Sequence, residues 1–140
     1  MTERRVRRRP TTWLVVALLG AATALTAPAP AGAATTCTLT FKANWIASTA
    51  DRHKWIVEAK IANTGTASST TWETIINFPA NAVIASFWSA TRPAPNVWQP
   101  VEWNNVIPRN GAVYFGFDIR MPLTDTTPPV PPSSSCSITY

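Results

Sequence analysis

From Cys37 onward, apolar and polar residues alternate in short segments separated by turn-forming residues, and no stretch keeps a helical period. That pattern predicts an all-β protein, a two-sheet antiparallel sandwich of the immunoglobulin-like or jelly-roll-like kind. Val57, Ala59 and Ile61 alternate with Glu58, Lys60 and Ala62 up to an Asn63-Thr64-Gly65 turn. Trp72, Thr74, Ile76 and Phe78 share one parity. Pro79 ends that strand, because it has no amide hydrogen to give to a ladder. Val83, Ala85 and Phe87 share a parity in the next segment. Trp88 therefore falls with Ile84 and Ser86 on the opposite one and points away from whatever Phe87 packs against. Val113, Phe115, Phe117 and Ile119 alternate with Ala112, Tyr114, Gly116 and Asp118, as a central strand with a phenylalanine-rich buried face would. Two stretches lack the pattern. Ile46 to Lys54 is polar and mixed and is expected to be a loop. Pro122 to Ser135, with five prolines and a serine run, is expected to be an irregular connection before a last short strand around Cys136 to Tyr140. One domain without repeats covers residues 34–140.

The first 33 residues are read separately, as an export signal. Arg4, Arg5, Arg7, Arg8 and Arg9 give a positive start, Trp13 to Leu25 an apolar run, and Ala31-Gly32-Ala33 the small residues of a cleavage site after Ala33. The apolar run is too short for the roughly 20 residues that span a bilayer, so a secreted, extracellular protein without a membrane anchor is expected. The arginine pairs leave the general and the folded-protein export routes both open. Removing this leader takes five of the twelve basic residues and only one of the seven acids, leaving seven cations against six carboxylates. The high isoelectric point thus belongs to the leader, and nucleic-acid binding, which needs a basic footprint, loses its support.

Two further features bear on chemistry. Cys37 and Cys136, the only cysteines, stand at the two ends of the secreted segment. In an oxidising compartment they are expected to form one disulfide that ties the terminal strands together. Neither a zinc nor an iron–sulfur site can be built from two cysteines and the lone His53, and no cofactor or metal is expected. The segment also holds six of the seven tryptophans, Trp45, Trp55, Trp72, Trp88, Trp98 and Trp103. A core of about 100 residues has room for two or three indoles, so some should lie on the surface, where sugar rings, other aromatics and membrane interfaces are the partners that suit them.

The ordered run Cys37, Asn44-Trp45, Asn63-Thr64-Gly65, Trp72, Phe78-Pro79, Trp88, Trp103-Asn104, Ile107-Pro108, Gly111, Phe115-Gly116-Phe117 and Cys136 resembles a family 2 carbohydrate-binding module over essentially the whole secreted segment. The resemblance implies a secreted two-sheet sandwich with a disulfide across its ends, of the kind attached to cellulases, xylanases or chitinases. It also implies three exposed tryptophans in a row on one flat face, at Trp45, Trp88 and Trp103, stacking on the glucose rings of crystalline cellulose, with chitin and xylan as the next candidates. The parity argument agrees for Trp88 and is silent on Trp45 and Trp103. Asn104 is carried with Trp103 as a binding residue. Glu102 beside it reads either as an acceptor for sugar hydroxyls or as a solvated charge. Trp72 and Trp55 match buried positions of the family, and the face of Trp98 is left open by Pro100. The stretch between Trp45 and Trp55 is longer here than is usual in the family, which implies a longer loop carrying Asp51, Arg52, His53 and Lys54.

A pyranose ring has an apolar face of axial C–H groups, and an indole offers a large rigid π surface with only two rotatable bonds. Several such stacks on one rigid sheet engage together. Catalysis is not expected. Glycoside hydrolysis needs two carboxylates facing across a cleft, whereas Glu58 and Glu73 alternate with core positions, and a serine triad would depend on His53 alone. The reading is therefore a monomeric, non-catalytic module for insoluble β-1,4-linked polysaccharide. The alternative is an extracellular protein-binding or adhesion sandwich using the same aromatic face, since tryptophan also dominates protein interfaces.

Overall fold

The computed structural model describes residues 36–140. The export signal expected over residues 1–33 lies outside the described residues. Eight strands follow one another as β1 (Cys37–Ser48), β2 (Arg52–Asn63), β3 (Thr71–Asn77), β4 (Val83–Trp88), β5 (Thr91–Ala94), β6 (Val97–Gln99), β7 (Ala112–Pro122) and β8 (Ser133–Thr139), with a single 3-10 turn at Glu102–Asn104. They pair antiparallel into two four-stranded sheets, one in the order β1-β2-β7-β4 and the other β5-β6-β3-β8. The expected two-sheet sandwich is thus the observed one.

The alternation read from the sequence fills the space between the sheets. Val57, Ala59 and Ile61 of β2, and Phe115, Phe117 and Ile119 of β7, are fully buried on one sheet, facing Trp72 and Ile76 of β3 and Trp98 of β6 on the other. Aromatic rings bridge the two layers. Trp72 stacks on Phe115 with centroids 5.2 Å apart, and Phe117 takes edge contacts from Phe78, Trp98 and Phe115. Such offset and edge-on pairs add about 0.5–1.5 kcal/mol each beyond the area they bury. Trp98, whose face the sequence left open, is therefore core. Its ring also meets the edge of Phe87 and lies under the Arg92 guanidinium.

Cys37 and Cys136 are joined, with Cα atoms 6.2 Å apart. Since β1 is an edge of one sheet and β8 an edge of the other, the disulfide is a covalent tie between the two layers.

Three expectations are corrected. Ile46 to Lys54 is not a loop: β1 runs to Ser48 and β2 starts at Arg52, and the two form a long hairpin. Its tip is a short turn in which the Thr49 hydroxyl donates to Asp51 and accepts the Arg52 amide, while the Thr49 amide donates to the Arg52 carbonyl. Its polar residues read as a loop because Ser48 to Lys54 stay partly or fully exposed, although β2 pairs with β7 as well as with β1. Second, β4 does not keep one parity. A bulge at Ala85 sends Ile84 inward with Phe87, opposite Ile119, and leaves Val83 exposed. The extra residue of a bulge flips the alternation once, which no count of parity anticipates. Trp88 and Ser86 keep the outward side assigned to them. Third, the last strand begins at Ser133 rather than near Cys136, and all seven of its residues pair with β3. The preceding prolines confine the irregular connection to residues 123–132, where Asn81 and the Thr127 amide donate to Asp125 and hold its carboxyl below the usual carboxylate range.

Candidate functional site

The six tryptophans of the described residues divide evenly. Trp55, Trp72 and Trp98 are buried, as expected for the first two, while Trp45, Trp88 and Trp103 are 56, 42 and 74 % exposed.

Trp88 ends β4 opposite Gly116 of β7. Gly116 also faces Glu58 across β2, so this row lies on the outer surface of the β1-β2-β7-β4 sheet. The indole rests directly on Gly116: a methyl group added there would collide with three carbons of its six-membered ring. The six-membered ring is thereby held against the strand backbone while two-fifths of the residue stays exposed. Glycine within a strand is otherwise a weakness, and here its missing side chain makes room for the ring.

Gly116→Ala consequently separates binding geometry from stability. Alanine is the better strand residue by propensity, and the displaced ring is already half in water, so stability should change by less than about 1 kcal/mol. The indole would be lifted off the sheet, and adsorption to the cognate surface is expected to weaken several-fold, as isotherms of the two proteins would show.

Trp103 sits on the 3-10 turn after β6, and its position follows from its neighbour. Asn104, expected at the binding face, is only 2 % exposed and cannot touch a polymer. Its side chain donates to the Ser89 carbonyl at 2.8 Å and accepts the Val101 amide at 3.0 Å, while its own carbonyl accepts the Trp72 indole N–H at 2.8 Å. Asn104 is therefore a positioning residue. Through it the turn bearing Trp103 is fastened to the residue after Trp88 on one side and to the core on the other. Three residues on, Ile107 exchanges bonds with Ser69, and Asn63 donates to its carbonyl. The loop is thus pinned twice. Ser89 itself has φ 59°, a left-handed conformation costing a non-glycine residue roughly 1–2 kcal/mol, and the bond from Asn104 is one interaction that holds it there.

Trp45 stands apart. Its partner across the hairpin is Trp55, a core residue, so the register puts it on the opposite side of the sheet from Trp88, beside a bulge at Ile46. Three strand spacings, about 14 Å, also separate β1 from β4. The expected row of three rings on one sheet face is not what the register forms. Trp88 and Trp103 are coupled, and Trp45 occupies the far edge. Its side is set by the unbroken register from Cys37 to Trp45, which pairs Leu39, Phe41 and Ala43 with the core positions Ile61, Ala59 and Val57 before it. Glu102 is exposed next to Trp103, free to meet either water or a hydroxyl.

The sequence reading missed part of this surface. Tyr114, two residues before Gly116 and on the same outer side, is 49 % exposed with the Lys60 ammonium 5.9 Å above its ring. On the other flank Asp118 is nearly buried between Lys54, at 3.3 Å, and Arg120, at 3.0 Å. Alternation with Phe115, Phe117 and Ile119 already placed these residues outward, and that was the available signal.

The cellulose binding domain family matches residues 35–136. Chitinase 63 of Streptomyces plicatus is 35 % identical over 92 residues, 64 % of this chain, and the chain spans only 14 % of that relative's length. Among solved structures, the chitin-binding domain of Chi18aC from Streptomyces coelicolor is 26 % identical, with a TM-score of 0.53 over 74 % of this chain and 92 % of that one. The chitin-binding domain of a chitinase from Pyrococcus furiosus shares the fold at 23 % identity, with a TM-score of 0.50 over 73 % of this chain and 92 % of that one.

Proposed function

The chain belongs to the cellulose binding domain family, and from that membership we propose that it is a secreted, monomeric and non-catalytic module that adsorbs to insoluble β-1,4-linked polysaccharide through Trp88 and Trp103. The observation that carries the reading is the Trp88 ring laid flat on Gly116, with Trp103 fastened beside it. A surface ring held rigidly against a sheet, one face open, suits the apolar face of a pyranose in a flat polymer. Cellulose and chitin both present such faces on the same β-1,4 backbone. The family favours the first, and the Streptomyces relatives, a chitinase and a chitin-binding domain, favour the second. Secretion is supported by the arginine-led leader pattern and by the disulfide.

Depletion from solution by washed microcrystalline cellulose, chitin and insoluble xylan, in parallel, tests this and ranks the three. Trp88→Ala and Trp103→Ala are each expected to weaken adsorption about tenfold, ~1.4 kcal/mol, with the unfolding midpoint nearly unchanged. Trp45→Ala is expected to contribute less than either. Failure of all three solids to deplete the protein would sink the reading in favour of a protein partner.

A further inference from the structure

The outer surface of the β1-β2-β7-β4 sheet collects an unequal share of the charge. Strand register places Lys42, Arg52, Lys54, Lys60 and Arg120 on it, with Glu58 and Asp118. These are five of the seven cations beyond the leader but only two of the six carboxylates. Asp118 is already engaged by Lys54 and Arg120 together. Arg52 lies at the hairpin end, while Lys42 and Lys60 flank Glu58, Lys42 directly across the ladder from it and Lys60 two residues along the same strand, and Glu58 cannot neutralise both. They share the sheet face of the aromatic platform, Lys42 three strand spacings (about 14 Å) and Lys60 two (about 10 Å) from the strand of Trp88. Lys42, Glu58, Gly116 and Trp88 form one row across the sheet, and Lys60 and Tyr114 form part of the next. Each strand spacing is about the size of one sugar ring, so the two lysines lie two to three rings from Trp88 along a flat polymer surface. Lys60 is moreover directed: its ammonium is held over the Tyr114 ring. Glu102, beside Trp103 on the 3-10 turn, is an exposed charge of the opposite sign.

We infer that this face selects insoluble polysaccharide that carries carboxylates over its neutral counterpart. Trp88 and Trp103 hold the sugar rings, and Lys42 and Lys60 meet carboxylates on the same surface. The inference rests on the tryptophan-face reading above and adds the chemistry of the ligand. A polymer of protonated amines would be disfavoured by the same lysines.

The test compares adsorption isotherms on microcrystalline cellulose and on the same cellulose with part of its C6 hydroxyls oxidised to carboxylates. Exposed ion pairs are individually weak, so the expected gain on the oxidised surface is about two- to tenfold at ~0.01 M salt. It should vanish near 1 M, where the screening length falls to about 3 Å. The Lys42→Gln/Lys60→Gln double variant should lose the gain and keep wild-type adsorption to neutral cellulose. A second arm, insoluble xylan before and after enzymatic removal of its glucuronic acid branches, tells whether branch carboxylates serve as well as those on the main chain. Equal adsorption to neutral and carboxylated forms at low salt, or a gain that the double variant retains, would overturn the inference. The tryptophan reading has its own readout: with Trp88→Ala still weakening adsorption to neutral cellulose, only the charge selection fails. If no solid is bound, both fail together.

Discussion

Trp72→Ala is expected to destabilise the domain by about 3–5 kcal/mol, the range for deleting a large aromatic from a packed core. Trp72 is almost fully buried and stacks on Phe115 between the two sheets, so the cavity would open where the layers meet. Domains of this size have roughly 5–15 kcal/mol in total, and thermal or denaturant unfolding should show the loss plainly. The same residue also supports the site, because its indole N–H donates to the Asn104 carbonyl behind Trp103. Trp72→Phe keeps most of the ring and removes the donor. Its predicted signature is a smaller stability loss, together with weaker adsorption per folded molecule than wild type. Unchanged adsorption by folded Trp72→Phe would show that the turn bearing Trp103 keeps its place without that bond.

Reduction of the Cys37–Cys136 disulfide is the other large effect. The bond closes a separation of 99 residues. Loop entropy alone gives about 4.7 kcal/mol for a loop of that length, and measured values for native disulfides run about 2–5 kcal/mol. Its position adds a structural reason. β1 and β8 belong to different sheets, and β1 meets its own sheet only through β2. Without the bond, that edge of the sandwich depends on partly buried side chains such as Leu39, Phe41 and Ile138. The Cys37→Ser/Cys136→Ser variant, like the reduced protein, should unfold at lower denaturant. Its adsorption when folded should match wild type, since Trp88 and Trp103 lie on β4 and on the loop before β7. An unchanged unfolding midpoint after verified reduction would refute the stabilising role.

Much of this molecule was legible in the chain. The two sheets, the central β7, the buried Trp72, the outward Trp88 and the disulfide all follow from alternation at period two and from cysteine placement, both local or compositional signals, while the burial of Trp55 was implied by the family resemblance. The misread stretches share a cause. A bulge at Ala85 or Ile46 exists only as a mismatch between two paired strands, and neither strand carries that information alone. The stretch from Ile46 to Lys54 looked like a loop because its residues are polar, mixed and partly or fully exposed, so no buried face imposes an alternation on them.

The site divides in the same way. The sequence by itself determined that too many indoles were present for one core, and that Trp88 would face outward. It could not assign Asn104, because a residue beside an exposed tryptophan looks exposed until Ser89, Val101 and Trp72 are seen to consume its hydrogen-bonding groups. Nor could it separate Trp45 from the other two rings, since which side of a sheet a residue takes at a strand end depends on its partner across the ladder. Alternation is a property of one strand. Which rings share a surface, and which cations gather beside them, is decided by pairing among four strands distant in sequence, and only the folded sheet brings those together.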